Sequence, residues 1–119
     1  MTLEECYQSF GGDFEGLMSR VMKLELAEMF AMKFLKDGSF AALEEAMEKE
    51  DYESAFRAAH TLKGVCANLG IAKLQAVSSE LTEQLRGGVK PSDLSLMDKT
   101  KEEYKRTADA LLAYQATKA

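Results

Sequence analysis

The stretch Phe56-Arg57-Ala58-Ala59-His60-Thr61-Leu62-Lys63-Gly64-Val65-Cys66-Ala67-Asn68-Leu69-Gly70 holds the only histidine of a 119-residue chain. Its apolar spacing is helical. On a wheel advancing about 100° per residue, Ala55, Ala59, Leu62, Cys66 and Leu69 fall within about 80° of one another and form a core stripe. Asp51 stands where an N-cap belongs, so the helix is expected from Tyr52 to about Leu69. Gly70 stands at the C′ position, where a helix commonly ends in the left-handed conformation that glycine adopts without a Cβ penalty. His60 lies roughly 140° from the centre of the stripe and is expected to face solvent or the rim of the fold.

Helical patterning continues in both directions. Thr2 with Glu5 forms a capping box for a short first helix. Asp13 caps a second, from about Phe14 toward Val21. Met22, Leu26, Met29, Phe30 and Phe34 recur at helical spacing in a longer stretch. Asp37-Gly38-Ser39 breaks it, and Ser39 is the expected N-cap of a helix carrying Phe40, Leu43, Ala46 and Met47. Beyond Gly70, Ile71, Leu74, Val77, Leu81 and Leu85 give the next stripe, closed by Gly87-Gly88. Pro91-Ser92-Asp93 opens the last helix, with Leu94, Met97, Tyr104, Ala108 and Leu111 on one face. No alternating strand pattern persists beyond a few residues. The expectation is an all-α chain: an antiparallel four-helix bundle with short accessory N-terminal helices, forming one domain over residues 1–119.

Composition narrows the chemistry. Hydrophobic residues make up 46% of the chain, enough for a packed core without metal or disulfide support. Acidic residues outnumber basic ones by 20 to 15, a formal net charge of −5 with no basic block, which argues against nucleic acid as a partner. One His and two Cys, Cys6 and Cys66, are too few for a conventional structural zinc site or a di-iron bundle, so no resident metal or cofactor is expected. The N-terminus lacks a basic region followed by an apolar stretch, and no apolar run approaches the roughly 18 residues that span a bilayer. A cytoplasmic chain with reduced cysteines and no membrane partner is therefore expected.

Gly64 is the unusual choice in the histidine helix. A mid-helix glycine costs about 1 kcal/mol relative to alanine. Side chains at i and i+4 share a face, so Gly64 clears space beside the imidazole for another molecule. The same face carries Glu53, Phe56, Arg57, Lys63 and Ala67. Neutral imidazole is a competent nucleophile near neutral pH. Attack on a phosphoryl group would build negative charge on its oxygens, which Lys63, and Arg57 as a second cation, lie close enough to stabilise. The chain shows no phosphate-cradling Gly-rich loop with a following Lys, so the phosphoryl group and its metal are expected to come from a partner.

The pattern Ala-Ala-His60-Thr-Leu-Lys63-Gly64, Gly70 ten residues after the histidine, and Leu74 and Leu81 in the next helix resembles the histidine-containing phosphotransfer (HPt) domain family of two-component phosphorelays. That resemblance covers most of the chain and implies a four-helix bundle with accessory helices. It implies that His60 accepts phosphate from the aspartyl-phosphate of one response-regulator receiver domain and passes it to another. Lys63 would steady the phosphoryl group, Gly64 would admit the partner, and Mg²⁺ would belong to the receiver. Phe56, Arg57 and Ala67 are the candidate partner-facing residues, with a hybrid sensor histidine kinase as a further partner. The chain is also similar to the phosphoacceptor domain of chemotaxis kinases, which places a Glu after the Leu of the following helix. Here Leu81 is followed by Thr82, which favours the stand-alone carrier.

Plainer readings stand beside these. A lone histidine is commonly structural, Cys66 on the core stripe reads as a small buried hydrophobe, and the seven methionines read as core filler. Arg57 is either a phosphate cation or a surface charge, and Phe56 either part of the core or an apolar rim for a docking helix. The alternative function is a helical-bundle adaptor that binds receiver or other protein partners without phosphotransfer.

Overall fold

The computed structural model describes residues 1–118, and among them it contains seven helices and no strand. They are α1 (Leu3–Ser9), α2 (Phe14–Val21), α3 (Leu24–Phe34), α4 (Ser39–Glu48), α5 (Tyr52–Leu69), α6 (Ala72–Leu85) and α7 (Ser95–Ala116). Helices α4, α5, α6 and α7 are successive neighbours, each packing on the next, with short turns between the first three and a longer loop before α7. The Phe40 ring of α4 stacks on Tyr104 of α7, centroids 4.1 Å apart and 7° from parallel, which closes the four helices into a bundle. Helices α1 to α3 pack against its sides. None of the described helices is long and apolar enough to cross a membrane.

The local signals act as expected where capping and periodicity suffice. The Thr2–Glu5 capping box starts α1, and the Asp13 side chain accepts the Gly16 amide at the start of α2. The Asp51 carboxylate accepts the Ser54 amide, and α5 runs from Tyr52 to Leu69 with Ala55, Ala59, Leu62 and Cys66 fully buried. Leu69 is half-buried.

Gly70 does more than end α5. Its φ of +69° is left-handed, and a Cβ there would strike the Asp13 carbonyl oxygen. The Gly70 carbonyl accepts the Asp13 amide at 2.7 Å, and Tyr7 donates its hydroxyl proton to the Leu69 carbonyl at 2.8 Å. The short N-terminal helices are thus pinned to the end of the histidine helix. The rings of Tyr7, Phe10 and Phe14 cluster beneath this junction.

Elsewhere tertiary packing selects residues that apolar spacing did not. Met22 is not part of the α3 stripe: it ends α2 in a left-handed conformation (φ 64°) and is 81% exposed. Met29 is also exposed, because α3 buries Ala27 and Ala31 in its place, while Phe34 of the expected stripe is buried as its spacing indicates; small residues at i and i+4 let the α3 backbone approach the bundle. Gly38, not Ser39, is the N-cap of α4, and the Asp37 carboxylate accepts the Ser39 amide. Leu94 precedes α7 and is 57% exposed; that helix buries Leu96, Thr100, Thr107, Leu111 and Tyr114, while Met97, Tyr104 and Ala108 are half-buried. In α6, Val77 yields its place to Ser78 and Thr82, both fully buried. Their hydroxyls donate to the carbonyls one turn back, Leu74 at 2.7 Å and Ser78 at 2.6 Å, so neither needs a partner across the core.

Candidate functional site

Helix α5 carries His60 to the surface. The imidazole is exposed, while Ala59 and Leu62 on either side of it in sequence are buried. Gly64, one turn later, is exposed as well, and a Cβ built on it meets no atom within 4 Å. The flank beside the imidazole is therefore open space. Lys63 is half-buried and takes part in no ion pair among the described residues. Ala67 is half-buried, so His60, Lys63, Gly64 and Ala67 follow one another at i, i+3, i+4 and i+7 along one face.

Phe56 lies one turn before the histidine, its ring centroid 6.1 Å from that of the imidazole at a 41° tilt. It is half-buried and forms an apolar shoulder to the open flank. Arg57 points the other way. Its guanidinium contacts the Glu53 carboxylate and the Ser54 hydroxyl, each at 3.2 Å, both toward the N-terminal end of α5. The pair is exposed and holds the arginine only weakly.

Glu83 of α6 and Arg86, the C-cap of that helix, complete the surroundings and were not anticipated. The Arg86 guanidinium lies 5.2 Å above the Phe56 ring and grips Glu83 through two hydrogen bonds, Nε to Oε2 at 3.0 Å and Nη2 to Oε1 at 2.9 Å. Arg86 holds the Glu83 carboxyl below its ordinary pKa, first by hydrogen bonding and then by charge, with smaller contributions from Lys63 and His60. The Glu83 charge thus sits within reach of both. The hairpin explains the placement. Folding α6 back on α5 about Gly70 brings Gly88 beside Glu53, a Cβ on Gly88 lying 3.5 Å from that of Glu53, and so sets Arg86 beside Phe56. An i, i+3 acid–base pair at the far end of α6 was the available signal, but only the hairpin register shows what it faces. Thr82, one residue before Glu83, is sealed inside with its hydroxyl on Ser78, so no side chain from that position reaches the imidazole.

The face thus presents a solvent-accessible imidazole, a cation one turn away that has no ion pair among the described residues, an open flank and an aromatic shoulder. The buried thiols lie elsewhere: Cys66 is inside the bundle and Cys6 lies against the Ala110 carbonyl, Sγ to O 3.3 Å.

A family model described as the Hpt domain matches residues 25–113, three-quarters of the chain, from α3 to the last turns of α7. No curated protein and no solved structure matches the chain. The matched span takes in the whole histidine face together with the four bundle helices, and the chain belongs to the Hpt domain family, the phosphocarrier modules of histidine phosphotransfer in two-component phosphorelays.

Proposed function

We propose that residues 1–119 act as one phosphocarrier domain whose phosphoacceptor is His60, exchanging the group with the aspartate of response-regulator receiver domains. The observation that carries this reading is the exposed imidazole beside a glycine whose Cβ would occupy empty space.

The lone-pair nitrogen of neutral His60 attacks the phosphorus of an aspartyl-phosphate on the partner. The nitrogen–phosphorus bond forms as the phosphorus–oxygen bond to the carboxyl breaks, and the electron pair leaves with the aspartate carboxylate. The proton on the second ring nitrogen then exchanges with solvent. The reverse step returns the group to another receiver. Lys63 stabilises the phosphoryl oxygens. Gly64 leaves room for the receiver, with Phe56 and Ala67 as apolar contacts and Arg57 as a rim charge that can leave its exposed partner Glu53. Mg²⁺ and most of the catalysis belong to the receiver.

The test incubates the protein with a phosphorylated receiver domain and Mg²⁺. The expected product is an acid-labile, base-stable phosphoprotein, absent in His60→Gln, whose circular dichroism matches the parent because the replaced ring is exposed. Label that survives the substitution, or no label from any receiver tried, returns the chain to the adaptor reading.

A further inference from the structure

A second concave site lies away from the histidine face. Val21 of α2, Phe30 and Phe34 of α3, and Val65 and Leu69 of α5 line a cleft of about 400 Å³. That is within the size range of small-molecule sites, roughly 300–1,000 Å³. Val65 and Leu69 stand about 140° and 180° around α5 from His60, so the cleft opens on another side of the helix. Its wall is mainly apolar, yet it carries two cations in a chain of net charge −5.

From this arrangement we infer that the cleft between α2, α3 and α5 binds a small amphipathic carboxylate, its apolar body among Val21, Phe30 and Val65 and its anionic end at Arg20 and Lys33. Neither cation is committed. Arg20 and Lys33 take part in no ion pair among the described residues. The Arg20 guanidinium reaches only the Gly16 and Asn68 carbonyls, both at 3.4 Å, long contacts that a carboxylate would replace with shorter, charge-assisted ones. The Lys33 ammonium rests over the Phe30 ring, 5.3 Å from its centroid, and so stays at the mouth of the cleft. Asp37 is the one carboxylate in the wall, and one of its oxygens is taken by the Ser39 amide. Two cations against one carboxylate leave a positive balance, while Val21, Phe30, Phe34, Val65 and Leu69 give the rest of the ligand an apolar surface. A monocarboxylate with an aromatic or aliphatic body meets both conditions.

The test is a nitrogen-15 amide titration of the full chain with 3-phenylpropionate, with neutral 3-phenylpropanamide as comparator. Expected are saturable shifts at Val21, Phe30, Val65 and Asn68, with the amide binding about tenfold more weakly for want of the charge-assisted contacts. Arg20→Gln with Lys33→Gln, both exposed positions, should erase the preference for the carboxylate, and Val21→Trp should fill the cleft and abolish binding of both probes. The inference is overturned by an absence of saturable shifts, by equal binding of acid and amide, by a preference that outlives both glutamines, or by cleft amides that respond only to an added receiver domain. None of these outcomes depends on whether His60 is phosphorylated.

Discussion

The Arg86 guanidinium sits 5.2 Å over the Phe56 ring, joining the end of α6 to the aromatic shoulder of the histidine face. The same guanidinium holds Glu83, so one arginine sets both the position of a carboxylate near Lys63 and the cover over Phe56. Because Arg86 lowers the Glu83 pKa, the folded state gains from this pair above the ordinary carboxylate range and loses the gain as pH falls through the folded value. In Arg86→Gln the Glu83 titration, followed by carbon-13 NMR, should move up toward that of a free glutamate. An unmoved titration would assign the shift to Lys63 and His60 instead.

Gly64 allows stability and access to be tested apart. Its Cβ position is empty and its backbone is helical, so Gly64→Ala should stabilise the protein by about 0.5–1 kcal/mol, read from urea denaturation. Gly64→Gln should keep the helix by circular dichroism and yet slow phosphotransfer from a receiver, because its side chain fills the flank beside His60. Transfer at the parental rate would mean that the open flank does not serve partner access.

Gly70 carries the opposite expectation. Alanine there must adopt a left-handed φ, costing about 1–2 kcal/mol, and its Cβ must also displace the Asp13 carbonyl. Gly70→Ala should lose about 2–4 kcal/mol in all, with faster hydrogen exchange at the Asp13 amide as α1 and α2 loosen. A loss well under about 1 kcal/mol would show that the N-terminal segment shifts away without resistance.

The buried thiols give the protein an alkaline limit. Burial pushes Cys66 up to about 12, with the Asp37 charge adding to it, and pushes Cys6 up to about 11. Unfolded thiols titrate near about 8.5, so the unfolded chain loses these protons first. The stability that the protonated thiols carry is complete below that value and falls as pH rises toward the folded values. Burial raises the Tyr7 hydroxyl in the same direction. The urea midpoint should drop between pH 7.5 and 10, and Cys66→Ala, which starts lower for its lost packing, should show a shallower drop. Parallel slopes in the two proteins would remove Cys66 from the alkaline transition.

Much of this was legible along the chain. The bounds of α5, the cap at Asp51, the left-handed Gly70 and the exposure of His60 follow from capping and periodicity, which act within a turn or two of helix. The α3 stripe was legible only in part: Phe34 is buried and Leu26 and Phe30 are half-buried as their spacing indicates, but Met22 and Met29 are exposed while Ala27 and Ala31 take the core. Ala27 and Ala31 carry a weak apolar signal beside Met and Phe, so local spacing does not mark theirs as the covered face. Nor did spacing mark Ser78, Thr82 and Thr100 as core, since a hydroxyl becomes tolerable there only once the helix supplies a carbonyl one turn back, as Leu96 does for Thr100 at 2.7 Å.

The helical class, the order of the helices and a single exposed imidazole with Lys63 and Gly64 in step with it can be read along the chain. These depend on 3.6-residue periodicity and on caps, and both are local. Packing alone puts Arg86, with Glu83 in its grip, beside Phe56, turns Arg57 toward Glu53 and Ser54, and sets α2 and α3 against α5 to leave a cleft with two cations that have no ion pair among the described residues. Those relationships come from the register of one helix against another, which is set by how side chains far apart in the chain fill the shared core.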